Sequence, residues 1–316
     1  MSADSSKSYL SVAYDLRPAK QVERRILLDF FRRLAGCGVP VESFRYTGMG
    51  SIHFIDHVLF HKYLGITKLV SVERDEDIKK RVKFNRPFKN VDIEIMEIGD
   101  YVPCLNADER HIVWLDYDYR LSRDMIEDVR SCANHLSIGS FILVTVDVEP
   151  SRQSKGNSDN YEYYKEVAGL LWKQSWSASD FANSELHLRA LDILALAFRE
   201  GISGRTGIDA LPCFKFVYAD GHKMATLGVH IGGALQMCNL KRVKESGAEY
   251  LVIDFDGDPF NIDVPVLTRR ERLYLERLMP SHDNVAGKPI GIGEEDIERF
   301  SKVYQFLPSY AELMIG

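Results

Sequence analysis

Three places in the sequence set residue types at spacings that can do chemistry. In Tyr46-Thr47-Gly48-Met49-Gly50-Ser51, two glycines stand one residue apart at the end of a short apolar run. Where a strand turns into a helix, such glycines let a ligand approach the N–H groups at the helix start. The next apolar run ends on Glu73, and a carboxylate at that strand end can accept both hydroxyls of a ribose. Taken alone the glycines read equally well as a plain tight turn; taken with Glu73 they point to a nucleotide-type ligand. Asp116 and Asp118 stand two residues apart in "WLDYDYR", so an extended chain points both to one side, where they can hold a metal or act as a general base. Asp147 and Glu149 end the following run in the same way. Ile98-Gly99-Asp100 adds a carboxylate beside the place an adenine edge would occupy, with an ordinary turn as the rival reading.

His53, His57 and His61 recur every four residues, a spacing that can chelate zinc, but Phe54 stands where an H-E-x-x-H motif needs Glu. They read instead as flanking a buried stripe of Ile55, Val58, Leu59 and Tyr63, with His53 alone facing the cleft, and no metal site is expected. A serine hydrolase is not supported, since no G-x-S-x-G elbow occurs. A P-loop kinase is not supported either, since no Lys-Ser or Lys-Thr follows the glycines.

The elements that must position these residues follow from periodicity. "RPAKQVERRILLDFFRRLAGCG" predicts a helix with Pro18 in its first turn, Ile26, Leu27, Phe30, Phe31 and Leu34 at helical spacing, and Gly38 at its end. Its outer face is read as Lys20, Arg24, Arg25, Arg32 and Arg33, either solvated or offered to a protein or nucleic-acid partner. Five apolar runs follow, "SFRYTG", "KLVSVE", "VDIEIMEI", "HIVWLDY" and "SFILVTVDV", with helices expected at about 52–64, 75–86 and 122–136. Strands alternating with helices, most apolar on both faces, predict an α/β doubly wound, mostly parallel sheet with ligands at the strands' carboxyl ends. Beyond a polar break at 151–160 come two helices, "YEYYKEVAGLLW" and "SELHLRALDILALAFREG", the second ended by Gly201. Then "CFKFVYADGHKMATLGVHI" predicts an antiparallel hairpin turning at Asp220-Gly221, and "EYLVIDF" a further strand. Thr268 and Glu271 form a capping box that opens a C-terminal helix. The expected layout is a helical N-terminal extension over 1–40, one α/β domain over 41–265 with a helical insertion at about 151–210, and a helical segment over 266–316.

The chain has 316 residues and a formal charge of -6, which gives no global pull toward nucleic acid or anionic membrane. The opening "MSADSSKSYLSV" has no apolar core flanked by a basic start and a cleavage site, so no secretory signal is expected, and no run approaches the length of a membrane span. The five cysteines form no C-x-x-C pair, which argues against a disulfide framework and for a reducing cytoplasm.

The succession "YTGMGS", "VSVERD", "IGD" and "IVWLDYDY", over about residues 40–150, resembles motifs I to IV of the class I (Rossmann-like) S-adenosylmethionine-dependent methyltransferases. Its style is similar to bacterial O-methyltransferase-like proteins. The Asp-Gly hairpin resembles the antiparallel strands that close that fold's sheet, whereas a nicotinamide-binding domain finishes with parallel strands. The resemblance implies S-adenosylmethionine as cofactor, its methionine part held by the backbone at Gly48 and Gly50, its ribose by Glu73 and its adenine amine by Asp100. Tyr46, counted with these, takes the place two before the first glycine that usually bears an acid, and Ile52 replaces a third glycine. The implied reaction moves a methyl group to an oxygen of an unidentified acceptor, with Asp116 or Asp118, together with His53, positioning the acceptor or taking its proton. Two other classes stay open: a methyltransferase-like binding or regulatory module without chemistry, and a metal-dependent nuclease or phosphoesterase.

Overall fold

A computed structural model of the chain describes residues 17–49, 52–154, 156–280 and 291–308. Eight strands form one sheet: β1 (Arg45–Met49), β2 (Lys68–Glu73), β3 (Val91–Ile95), β4 (His111–Arg120), β5 (Phe141–Asp147), β6 (Asp209–Ala219), β7 (Lys223–Gly232) and β8 (Phe260–Ile262). Their spatial order is β3-β2-β1-β4-β5-β7-β6-β8. The first five are mutually parallel, and β7 runs antiparallel to both β5 and β6. The chain moves outward from β1 to β3, then returns to place β4 on the other side of β1. That reversal is the switch point at which α/β sheets open a crevice beyond their carboxyl ends.

Burial explains why the central strands read clearly. Every residue of β5 is buried, with Ile142, Val144 and Val146 facing one core and Phe141 and Leu143 the other. The first core is covered by α5 (Arg123–His135), α6 (Asn157–Ala168) and α7 (Leu186–Ile202). The second is covered by α1 (Pro18–Gly36), α2 (Ile55–Leu64) and α8 (Ala234–Glu245). Two short helices, α3 (Lys79–Phe84) and α4 (Ile98–Tyr101), follow β2 and β3. Toward the C-terminus lie α9 (Arg269–Glu276) and α10 (Glu294–Val303).

The hairpin turns through Asp220, Gly221 and His222, and only Gly221 of the three takes a positive φ, 94°. Asp220 also accepts from the N–H groups of Ala19 and Lys20, at 3.1 and 2.8 Å, and so caps α1 from 200 residues away. The capping box at α9 is present: Thr268 Oγ1 accepts from Glu271 N–H, and Glu271 Oε2 accepts from Thr268 N–H.

Three expectations need correction. "EYLVIDF" is not a strand: Tyr250 and Leu251 anchor it in the core, and the carbonyls of Phe255 and Gly257 accept from the Lys215 ammonium at 3.0 and 2.6 Å rather than from a neighbouring strand. The last strand is β8 instead. Gly201 does not end α7, which runs on to Ile202; a Cβ there would lie 2.8 Å from the Arg130 carbonyl, so the glycine lets α7 approach α5 closely. On α1, Lys20 and Arg24 are not on the solvated face, being 1% and 4% exposed, while Arg25 and Arg32 do face solvent.

Candidate active site

A cleft of about 510 Å³ opens beyond the carboxyl ends of β1, β2 and β4, at the switch point. Glu73 closes β2 at its wall. Its Oε1 accepts from Asp75 N–H at 2.9 Å, and burial pushes its pKa above the ordinary glutamate value against that bond. Glu97, Ile98 and Gly99 continue the wall after β3.

Asp116 and Asp118 both border the cleft from the end of β4. Here β4 is irregular: Asp116 pairs with Thr145 and Arg120 with Asp147, so four steps along β4 span two along β5. Such a bulge bends a strand and re-aims its side chains. Asp118 is exposed, Asp116 is half-buried, and Tyr117 between them is buried with its hydroxyl donating to Asp128 at 2.6 Å. Asp147 and Glu149, at the end of β5, are engaged by the hairpin instead: His222 Nδ1 lies 3.0 Å from Asp147, and Lys223 N–H donates to Glu149.

Behind Asp116 lies a buried polar network centred on α1. Lys20 Nζ lies 2.7 Å from Asp116, 2.9 Å from Glu23 and 3.2 Å from the Tyr218 hydroxyl, with its ammonium 4.3 Å from the Trp114 ring centre. Burial alone would lower its pKa, but Asp116, then Glu23, outweigh burial and hold the lysine charged well above its usual range. Burial pushes the Glu23 carboxyl up, and Lys20 opposes this. Behind Glu23 runs a buried chain in which Trp114 Nε1 donates to Thr145 at 3.0 Å, the Thr145 and Thr226 hydroxyls meet at 2.9 Å, and Thr226 donates to Glu23 at 2.5 Å. An indole only donates, so the sequence of donors runs from Trp114 toward Glu23. One turn away, Arg24 Nε donates to Asp56 Oδ1 at 2.5 Å, and both residues border the cleft. Burial works against the Arg24 charge, and Asp56, then Asp116, outweigh it.

Of the residues singled out in the sequence, Glu73, Asp116 and Asp118 meet at this cleft. Tyr46, Gly48 and Asp100 do not line it. Gly48 lies inside β1, where a Cβ would be 2.7 Å from the Tyr46 hydroxyl and 3.2 Å from the His57 ring, so its missing side chain makes room for core side chains. Tyr46 is itself a core residue, edge-on to Phe60 and His57. Gly50 and Ser51 lie outside the described residues. Asp100 is exposed on α4 and does not line the cleft. His53 precedes α2, and Ile52, Phe54, Ile55, Asp56 and His57 form the wall there. His57 is buried, donating from Nε2 to the Val70 carbonyl at 2.9 Å, and burial lowers its pKa. The buried residues of α2 are therefore His57 and Phe60, whereas Tyr63 is half-exposed.

Lys20, Arg24, Asp56 and Tyr218 were not expected. The signal was present: Lys20, Glu23 and Arg24 continue, at spacings of three and four, the stripe of Leu27, Leu28 and Phe31. Polar side chains on that stripe read as solvent-facing until the cleft beneath them is known.

Among known families, the model described as "Putative O-methyltransferase" matches residues 12–315. No curated protein matches. Solved structures with a similar course include Trm1 from Pyrococcus horikoshii with S-adenosyl-L-methionine, at 12% identity over 71% of this chain and 57% of that one, TM-score 0.44. An O-methyltransferase from Bacillus cereus in complex with SAH gives 13% identity over 73% and 92%, TM-score 0.40. A structure of a "putative O-methyltransferase" from Klebsiella pneumoniae gives 12% over 74% and 92%, TM-score 0.41.

Proposed function

The chain belongs to the family described as "Putative O-methyltransferase", and we propose that it uses S-adenosylmethionine to transfer a methyl group to an acceptor oxygen in the cleft beyond β1, β2 and β4. The observation that carries this reading is the meeting of Glu73, Asp116 and Asp118 at one switch-point cleft. The cofactor, when bound, supplies an electrophilic methyl group on a sulfonium. Its fit is supported by a buried carboxylate at the end of β2, where a ribose can be held, and by a wall after β3 that a flat base can lie against.

This chain's residues then have to orient the acceptor and receive its proton. Asp116 is tied to the Lys20 ammonium and is read as the positioning group, while Asp118, exposed at the cleft mouth, takes the proton. Arg17, Tyr218 and Met224 border the cleft and form the acceptor's side of it. No group of three His, Cys, Asp or Glu placed to hold a metal ion occurs among the described residues. No helix among the described residues is long and apolar enough to cross a membrane. The cysteines are free, which suits a reducing cytoplasm.

The test follows labelled methyl transfer from S-adenosylmethionine to a panel of phenols, alcohols and carboxylic acids. With the accepted compound, Asp118→Asn should lower turnover about 10²- to 10⁴-fold, the usual range for a lost general base. If Asp116→Asn and Asp118→Asn both leave turnover unchanged, the assigned roles are wrong.

A further inference from the structure

Residues 79–89 read "KKRVKFNRPFK", six basic side chains and no acidic one, in a chain whose formal charge is -6. α3 opens this stretch and buries only Val82, while Lys80, Arg81, Lys83, Arg86 and Lys89 are exposed. Phe84 stands among them with 89% of its surface in solvent, although phenylalanine is ordinarily a core residue. The end of α2 lies against the same stretch, because the His61 ring packs 4.5 Å from that of Phe88. It adds Lys62 and the half-exposed Tyr63, over whose ring the Arg32 guanidinium lies at 5.4 Å. Acids only flank the stretch: Glu76 pairs with Lys79, and Asp92 is exposed on β3. Arg74 and Ile78 border the cleft, so the patch begins at its rim on the β2 side.

We infer that this surface binds single-stranded nucleic acid, its phosphates on Lys80, Lys83, Arg86 and Lys89 and its bases on Phe84 and Tyr63. Cations spaced along a surface track a phosphate backbone, and aromatic rings between them stack on bases. A duplex keeps its bases stacked on one another, so the exposed rings select the single strand. A protein partner is disfavoured by the four lysines of the stretch, since lysine is depleted from the cores of protein interfaces. A membrane surface is disfavoured by the six-residue length of α3, which offers no extended apolar face. The inference does not depend on the cofactor reading.

The test is fluorescence anisotropy of a labelled, mixed-sequence RNA strand titrated with the intact protein between about 50 and 200 mM salt. Wild type should bind it, with log affinity falling linearly against log salt. The variant Lys80→Gln/Lys83→Gln/Arg86→Gln should flatten that slope by about 2, since each lost phosphate contact counts about 0.7 on a single strand. Phe84→Ala should weaken binding about fivefold or more at every salt concentration, as loss of one base stack does, and leave the slope unchanged. All four side chains are exposed, so both variants should keep the wild-type urea midpoint. Single-stranded DNA competing as well as RNA agrees with the inference, and DNA competing poorly assigns the ligand to RNA. Duplex DNA, polyglutamate or phosphatidylserine vesicles displacing the strand equally well overturns it in favour of another anionic partner. Folded wild type that binds no strand at about 50 mM salt overturns it too, as do variants with unaltered affinity and slope.

Discussion

Replacing Lys20 by Met tests the buried network at its centre. The ammonium holds Asp116 and Glu23 at 2.7 and 2.9 Å, and Glu23 is 0% exposed. Without Lys20, Glu23 keeps the Thr226 hydroxyl as a hydrogen-bond donor and is left as a buried carboxylate with no counter-charge. Removing one member of a buried ion pair typically costs about 3–5 kcal/mol, mostly the penalty on the stranded charge. Met fills the lysine's apolar stem, so little of the loss is cavity formation. Urea unfolding at neutral pH should show Lys20→Met destabilised by about 3–5 kcal/mol. The double variant Lys20→Met/Glu23→Gln should recover about 1–3 kcal/mol of that loss, a coupling of the size seen between contacting residues. A Lys20→Met loss below about 1 kcal/mol, the level of an exposed pair, would refute the reasoning, as would a double variant no better than the single one.

Two further outcomes follow from the same structure. Asp220→Ala removes the acceptor for the first N–H groups of α1 and should cost about 0.5–2 kcal/mol in urea unfolding; an unchanged midpoint would show that water caps the helix equally well. Burial lowers His230, stacked on Phe141 at 3.8 Å between ring centres, to about 3, so the folded state keeps it neutral while the unfolded chain takes up its proton as pH falls through about 6.5. Stability is then lost as pH falls, by up to about 1.4 kcal/mol per pH unit from this group, and His230→Phe should remove that slope between pH 6 and 4.5; an identical slope in the variant would contradict the assignment.

The parts of the fold legible in the sequence are those whose local pattern and tertiary setting agree. β5 is buried on both faces and reads as one apolar run, and Gly221 supplies the positive φ that the Asp-Gly pair announces. Thr268 and Glu271 cap their own helix and need nothing distant. The unread parts depend on contacts far along the chain. Lys20, Glu23 and Arg24 look solvated on a helical wheel, and only strands ending some 100 residues later, with the Thr226 hydroxyl beyond them, turn that face into a buried polar network beside the cleft. "EYLVIDF" has strand composition, but Lys215 takes two carbonyls just beyond its core anchors. Gly48 matched a loop motif by spacing, yet Tyr46 and His57 fill the space its missing side chain leaves. Glu73, Asp116 and Asp118 were readable because strand ends at a switch point converge whatever the loops do.

On the reading proposed above, this cleft holds S-adenosylmethionine with Glu73 at its ribose. Calorimetric titration of the purified protein is the direct measurement, with Glu73→Ala as its partner. Micromolar binding is expected for the wild type and at least about tenfold weaker binding for the variant, because the ribose loses hydrogen bonds to a charged acceptor. Equal affinity in the two proteins, or no binding by folded wild type, would contradict it.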